Sequence, residues 1–199
     1  MRLFLVTHNH DKLREYKAIF EPEISIEHLD YEYDEIQADD QRKIAETGAK
    51  HCAEHFKKPV VVDDSGIFIN ALHGFPGPYT SYSWKTLGPK GLIKLLEGKA
   101  DRSACYQVSL GYCEPGKHPI SFIGKEDGTI AENPRGTKGF AHDVVFIPDG
   151  SNVTYAEMGN VESTKIFRRI AAEKLKTHIL ERQQTINNHP RFSPSNGNK

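Results

Sequence analysis

Three observations predict an α/β fold built on a mixed β-sheet with flanking helices. Short apolar runs of strand length, at residues 3–6, 24–29 and 60–62, are separated by stretches whose apolar residues recur at helical spacing. Two later strand-like runs, 103–114 and 120–130, are joined through Glu114-Pro115-Gly116-Lys117, a hairpin signal. The 199 residues show no internal repeat and no linker that cuts them in two, and they suffice for one sizeable core but not for two typical domains.

Leu3-Phe4-Leu5-Val6 reads as the first strand. The polar turn Thr7-His8-Asn9-His10 leads into a helix over 11–20, where Leu13, Tyr16, Ile19 and Phe20 recur at helical spacing. The second strand, 24–29, alternates Ile24, Ile26 and His28 with polar neighbours. An acidic loop over 30–40 precedes a helix over 41–56. Val60-Val61-Val62 then reads as a buried strand whose end delivers Asp63 and Asp64 to a cleft. Neighbouring side chains of a strand point to opposite faces, so one of the two acids is expected to face the site. Gly74-Phe75-Pro76-Gly77-Pro78-Tyr79 is expected to be an irregular loop, because Pro and Gly oppose regular structure there. Residues 91–97 read as a short helix, 144–147 as a strand after the basic, Gly-rich loop 133–139, and 161–181 as a final helix. From Arg182 onward the polar tail is expected to be disordered, which leaves 1–181 as the functional domain.

The charge balance, 26 basic against 27 acidic residues for a formal net charge of −1, offers no global field for a nucleic-acid coat or an anionic membrane. No apolar run approaches a membrane span, and the run at 3–6 is far too short for a signal peptide. Cys52, Cys105 and Cys113 are odd in number and lack C-x-x-C spacing. They indicate neither a disulfide framework nor a structural zinc site, and a reduced, cytoplasmic setting is expected.

Four constellations could carry chemistry. Thr7-x-Asn9-x-x-Lys12-x-x-Glu15 lies at a strand-to-helix junction, where unpaired N–H groups and the positive end of the helix dipole suit a phosphate. An ordinary N-cap with a solvated lysine is the plainer account, and the Walker pattern is absent. The acids Glu32, Asp34, Glu35, Asp39 and Asp40, with Asp63 and Asp64, form a second set. Mg²⁺ takes one or two carboxylates plus substrate phosphates and waters, so one loop acid and one strand acid would suffice. For most of the loop acids a solvated surface is the better account. Third, His51-Cys52-Ala53-Glu54-His55 matches the inverted zinc-peptidase pattern H-x-x-E-H, with both imidazoles on one helix face. Three matched letters arise easily by chance among 10 histidines, so a polar helix face is the stronger reading. Fourth, Gly139-Phe140-Ala141-His142-Asp143 and Lys165-Ile166-Phe167-Arg168-Arg169 could hold a base and reach phosphates, or supply a core anchor and a solvated helix stripe.

In their joint order these pieces resemble the inosine triphosphate pyrophosphatase family, from Leu3 to about Leu175. The resemblance rests on Thr7-His8-Asn9-His10-Asp11-Lys12, Val62-Asp63-Asp64-Ser65-Gly66 and Leu72-His73-Gly74-Phe75-Pro76-Gly77-Pro78-Tyr79. Further matches are Gly139-Phe140-x-x-Asp143, Phe146-Ile147-Pro148-Asp149-Gly150, Thr154-Tyr155-Ala156-Glu157-Met158, and Lys165 with Arg169. It implies an elongated fold of two lobes about a central mixed sheet, a nucleotide in the cleft between them, a homodimer and Mg²⁺. It puts the substrate loop on Thr7, His8, Asn9, His10, Asp11 and Lys12, and the metal acids on Glu35 and Asp64. Asp64 is also the implied general base, and Ser65 the adjoining substrate contact. Base recognition falls on Phe140, Ala141, His142 and Asp143, later cations on Lys165 and Arg169, and a phosphate-reaching helix lysine on Lys50.

Three departures from the family pattern stand out. Ala141-His142-Asp143-Val144 replaces Gly-Tyr/Trp-Asp-Pro, Arg168 stands where the family has a base-contacting histidine, and Ser81 stands where many relatives carry a basic residue. They bear on purine selectivity more than on phosphate chemistry. The implied reaction is hydrolysis of a non-standard purine triphosphate (ITP, dITP or XTP) to monophosphate and pyrophosphate. An acceptor at Asp143 with donors at Lys165 or Arg169 would fit a 6-oxopurine and reject adenine. The alternatives are a septum-inhibitor-type pyrophosphatase of other base specificity, a non-catalytic nucleotide-binding module, and the zinc peptidase on His51, Glu54 and His55. Small-molecule nucleotides are the expected partners, with neither nucleic acid nor membrane.

Overall fold

The computed structural model describes residues 1–158 and 165–188. Six strands form one sheet in the order β2-β1-β3-β4-β5-β6. They are β1 (Arg2–Val6), β2 (Ser25–Leu29), β3 (Val60–Ile69), β4 (Ser103–Cys113), β5 (Ile120–Ile130) and β6 (Phe146–Pro148). β1 pairs in parallel with β2 and β3, and the rest of the sheet is antiparallel, so the sheet is mixed. The parallel pairs are made possible by the crossover helices α1 (His10–Phe20) and α2 (Gln41–Phe56).

Alternation along the strands decides which layer each residue joins. Leu3, Leu5, Val61, Ile67 and Ile69 pack into the larger core with Tyr16 and Phe20 of α1 and with Phe167, Ala171 and Leu175 of the last helix, α5 (Ile166–Asn188). Phe4, Val6, Val60 and Val62 pack on the opposite face against Ala49, Cys52 and Ala53 of α2. Gly124 lets α5 approach β5 closely: a Cβ there would stand 1.8 Å from the Phe167 carbonyl oxygen.

The strand carrying Asp63 and Asp64 does not end at the acids. β3 runs through them to Ile69, paired with β4 throughout. Its other neighbour ends instead: β1 accompanies β3 only as far as the Val6–Val62 pair. Asp63, Asp64 and Ser65 therefore sit on a continuous strand beside the gap beyond the C-terminal end of β1, the position where open α/β sheets take ligands.

Other boundaries also differ from expectation. Two short helices, α3 (Thr80–Thr86) and α4 (Gly88–Lys94), replace the single one expected over 91–97. Thr80 Oγ1 fixes the start of α3 to β3, accepting from the Ile67 N–H at 2.9 Å and donating to the Gly77 carbonyl at 2.7 Å. A 3₁₀ turn occupies Ala141–Val144, so β6 begins only at Phe146. The last helix starts at Ile166 and continues past Glu181 to Asn188. Its residues 182–188 thus extend a helix that composition had assigned to the tail, because no Pro or Gly interrupts it. Of the expected start of that helix, residues 161–164 lie outside the described residues, as do 189–199 of the expected tail. No helix among the described residues is long and apolar enough to cross a membrane.

Candidate active site

The β1–α1 junction forms one wall. The Asn9 side chain caps α1, accepting from the N–H groups of Asp11 at 2.9 Å and Lys12 at 3.3 Å, while Thr7 Oγ1 accepts from the Asn9 N–H at 3.1 Å. Capping holds this turn in one conformation and aims the helix N-terminus at the gap beyond β1. His8 pairs with Asp30, and Asp11 with Arg14. His10 lies edge-on to His28.

The two acids of β3 have opposite surroundings. Asp63 faces α1 and α5, fully buried. Its carboxylate accepts from Lys12 Nζ at 2.6 Å, from Arg168 Nε at 3.0 Å and from the Tyr16 hydroxyl. Burial alone would raise its pKa, but Lys12 and Arg168 hold it well below the usual carboxylate range. Asp64 faces the other way, toward the acidic loop and Gln41. Its Oδ2 is buried with no hydrogen-bond partner among the described residues. Burial pushes its pKa up to about 7; Lys12 opposes this, and Glu35 and Asp63 reinforce it.

Three adjoining clefts surround this strand. The first, of about 370 Å³, lies between the β1–α1 turn, α3, the 140–143 segment and the start of α5. The second, about 430 Å³, shares Thr7, His8 and Lys12 with the first and extends along the acidic loop to Glu35. The third, about 380 Å³, shares Glu35 with the second and has Asp64 in its wall. Lys12 and Glu35 thus link an aromatic, cationic chamber to a carboxylate chamber.

In the first chamber Asp143 is already engaged. It accepts from Lys165 Nζ at 2.9 Å, from the Phe140 N–H at 2.8 Å and from the Tyr106 hydroxyl at 3.4 Å. The Lys165 ammonium also stands 3.9 Å from the centre of the Phe140 ring. Arg168 is 1% exposed and pairs with Glu15 as well as Asp63, while its Nη2 approaches Ser65 Oγ at 3.5 Å.

Residues 3–178 match the Ham1 family. The chain belongs to the Ham1 family. It is 46% identical over 173 residues to a dITP/XTP pyrophosphatase of Methanopyrus kandleri, covering 86% of this chain and 92% of that protein. It is 45% identical over 173 residues to a dITP/XTP pyrophosphatase of Pyrobaculum aerophilum, with the same shares of 86% and 92%. A solved HAM1 protein from Coxiella burnetii superposes with a TM-score of 0.78 at 28% identity, covering 91% of this chain and 99% of that one.

In this Ham1 protein the clefts bring together Thr7, His8, Asn9, Lys12, Ser65, Phe140, Ala141, Asp143, Lys165 and Arg168, with Glu35 and Asp64 at the far end. Lys50 is not brought in. It is exposed on α2 and near enough to Glu54 and Cys113 to act on their ionisation, and it lines none of the three clefts. Arg169 is on the exposed side of α5 and lines none of them either, because a helix turns successive residues about 100° apart. His10 and Asp11 stay outside the lining, and His142 is fully buried behind it. In the H-x-x-E-H segment the side chains are engaged elsewhere: His51 and His55 stack on Tyr31, and Glu54 accepts from the Gly116 N–H at 2.7 Å and from Lys57 at 3.1 Å. Among the described residues no group of three or more His, Cys, Asp or Glu side chains gathers to hold a metal.

Trp84, Thr80 and Tyr106 line the first chamber and escaped the sequence reading. The α3 helix that presents Trp84 is only seven residues long, and its register against the cavity is set by tertiary packing. The far chamber could hold Mg²⁺. Two carboxylates share one cleft, one of them has a buried oxygen with no partner among the described residues, and such a pair suits an ion that completes its shell with phosphates and water.

Proposed function

We propose that this chain hydrolyses non-standard purine nucleoside triphosphates (ITP, dITP and XTP) to the monophosphate and pyrophosphate, as a Mg²⁺-dependent cytoplasmic homodimer. The observation that carries the reading is Asp64: a carboxylate with a buried oxygen that has no partner among the described residues, lining one cleft with Glu35, in a row of adjoining clefts that starts in a cationic, aromatic chamber. Glu35 and Asp64 would hold Mg²⁺, which when bound neutralises phosphate oxygens and assists formation of the attacking hydroxide. Asp64 orients the water and accepts its proton, and the water attacks the α-phosphorus as pyrophosphate leaves. The positive end of the α1 dipole and Lys12 receive the negative charge. Lys12 does so while tethered to Asp63, so its position is fixed before substrate arrives.

Base choice follows from donors already in place. Lys165 and the Nη2 of Arg168 offer donors to a 6-oxo group, whereas adenine presents a 6-amino donor. Asp143 acts here as the anchor of Lys165 and Phe140, since its oxygens already accept from three donors. An adenine would leave buried donors unpaired.

Pyrophosphate release with Mg²⁺ across ITP, XTP, GTP, ATP and pyrimidine triphosphates tests the proposal. ITP and XTP are expected to exceed ATP by ~10²-fold or more in kcat/KM. Equal turnover of ATP would overturn the polarity argument. Asp64→Asn should lower kcat by ~10²–10⁴-fold, and near-normal turnover would remove Asp64 from the chemistry.

A further inference from the structure

We propose that Trp84 of α3 is the platform on which the purine base is held, a role that rests on reading the first chamber as a purine nucleotide site. Trp84 lines that chamber together with Lys165 and Arg168. It is half-buried, and its ring contact among the described residues is T-shaped, with His142, at 5.5 Å between centroids and 76° between planes. Such a contact occupies at most one face of the indole.

Other rings around the chamber have a face already taken. Tyr106 and Phe167 stack on each other at 5.0 Å and 8°, and both are buried. Phe140 carries the Lys165 ammonium 3.9 Å from its ring centre, and Asp143 holds that ammonium in place. His142 is fully buried and neither ring nitrogen has a partner among the described residues, so it backs the indole and does not reach a ligand. A planar base entering the chamber therefore meets, in Trp84, a large ring with an unstacked face. Stacking on it is tolerant of base identity and supplies affinity, while Lys165 and Arg168 supply the discrimination.

Trp84 is the single tryptophan of the chain, so fluorescence excited selectively at tryptophan reports on it alone. The full-length protein is titrated with inosine monophosphate, and with ribose 5-phosphate as the probe that lacks a base. Saturable quenching by the first and none by the second is expected. In steady state, Trp84→Leu should raise KM for ITP by roughly tenfold or more while Trp84→Phe recovers most of the loss, the scale of one base–aromatic stack. The inhibition constant of pyrophosphate, which has no base, should stay within about twofold in both variants. Unchanged fluorescence with inosine monophosphate bound by calorimetry, an unchanged KM in Trp84→Leu, or an equal weakening of pyrophosphate would each overturn the role. Absence of ITP hydrolysis by the unaltered protein would sink the functional reading alone, because the titration still judges Trp84.

Discussion

Asp63 and Asp64 are adjacent in sequence and opposite in chemistry. The pleat of β3 sends Asp63 to the side of α1 and α5, where two cations hold it charged, and Asp64 to the side where burial and Glu35 oppose its charge. Two more single residues carry predictions. Ala141 has φ +52°, a left-handed conformation that costs a Cβ-bearing residue about 1 kcal/mol. Ala141→Gly should raise stability by up to about 1 kcal/mol in urea titration, less the added freedom of glycine in the unfolded chain. His142 is pushed by burial from its ordinary 6.5 down to about 4. Between these values the unfolded chain binds a proton that the folded chain refuses, so stability is full above pH 6.5 and declines as pH falls toward 4. The loss is on the order of 3 kcal/mol. Denaturant titrations at pH 7.5, 5.5 and 4.5 should show a flatter decline for His142→Leu than for the unaltered protein; parallel declines would contradict the buried neutral imidazole.

At the scale of elements, the site exists because two neighbouring strands differ in length. β1 stops opposite Val62 while β3 continues to Ile69, and α1 begins at the stop, so a capped helix N-terminus and a row of strand side chains border one gap. The opposite wall depends on how closely α5 seats on β5. Gly124 permits the contact, and Phe167 and Arg168 are carried on the turn that makes it. Gly124→Ala should force the helix outward, with a loss of about 1–3 kcal/mol in thermal or urea unfolding. KM for nucleotide should rise with it, since Arg168 and Lys165 move with the helix. A variant of unchanged stability would show that α5 can shift without cost.

Across the whole molecule, Arg168 joins α5 to α1 through Glu15 and to the centre of the sheet through Asp63, all of them buried. A guanidinium serves here because its planar fork meets two carboxylates at fixed angles. Removing it in Arg168→Met would leave two buried acids with Lys12 and Lys165 as their counter-charges among the described residues. That should cost about 3–5 kcal/mol, read as a drop in the urea midpoint. Arg168→Lys should recover little of it, because an ammonium is a point charge. The cleft is then as much a structural keystone as a candidate binding site: the ions that fix Lys12 and Asp63 also tie the two helices of this face to the sheet.

Periodicity by itself determined the α/β class, the order of the strands along the chain and the helix over 41–56, because apolar spacing of two or near four is a local property of the chain. The motif order marked Thr7, Asn9, Lys12, Asp64, Ser65 and Phe140 as one group; the fold brings all but Asp64 to the first cleft and puts Asp64 in the wall of the third. Tertiary structure alone decided which cations reach that cleft. Arg168 is turned in and Arg169 out, Lys50 is left on the far side of α2, and a tryptophan from a seven-residue helix is brought in. The physical reason is that a helix residue's outlook depends on how the helix is rotated and seated, here set by a glycine contact and a buried ion network that link residues more than a hundred positions apart.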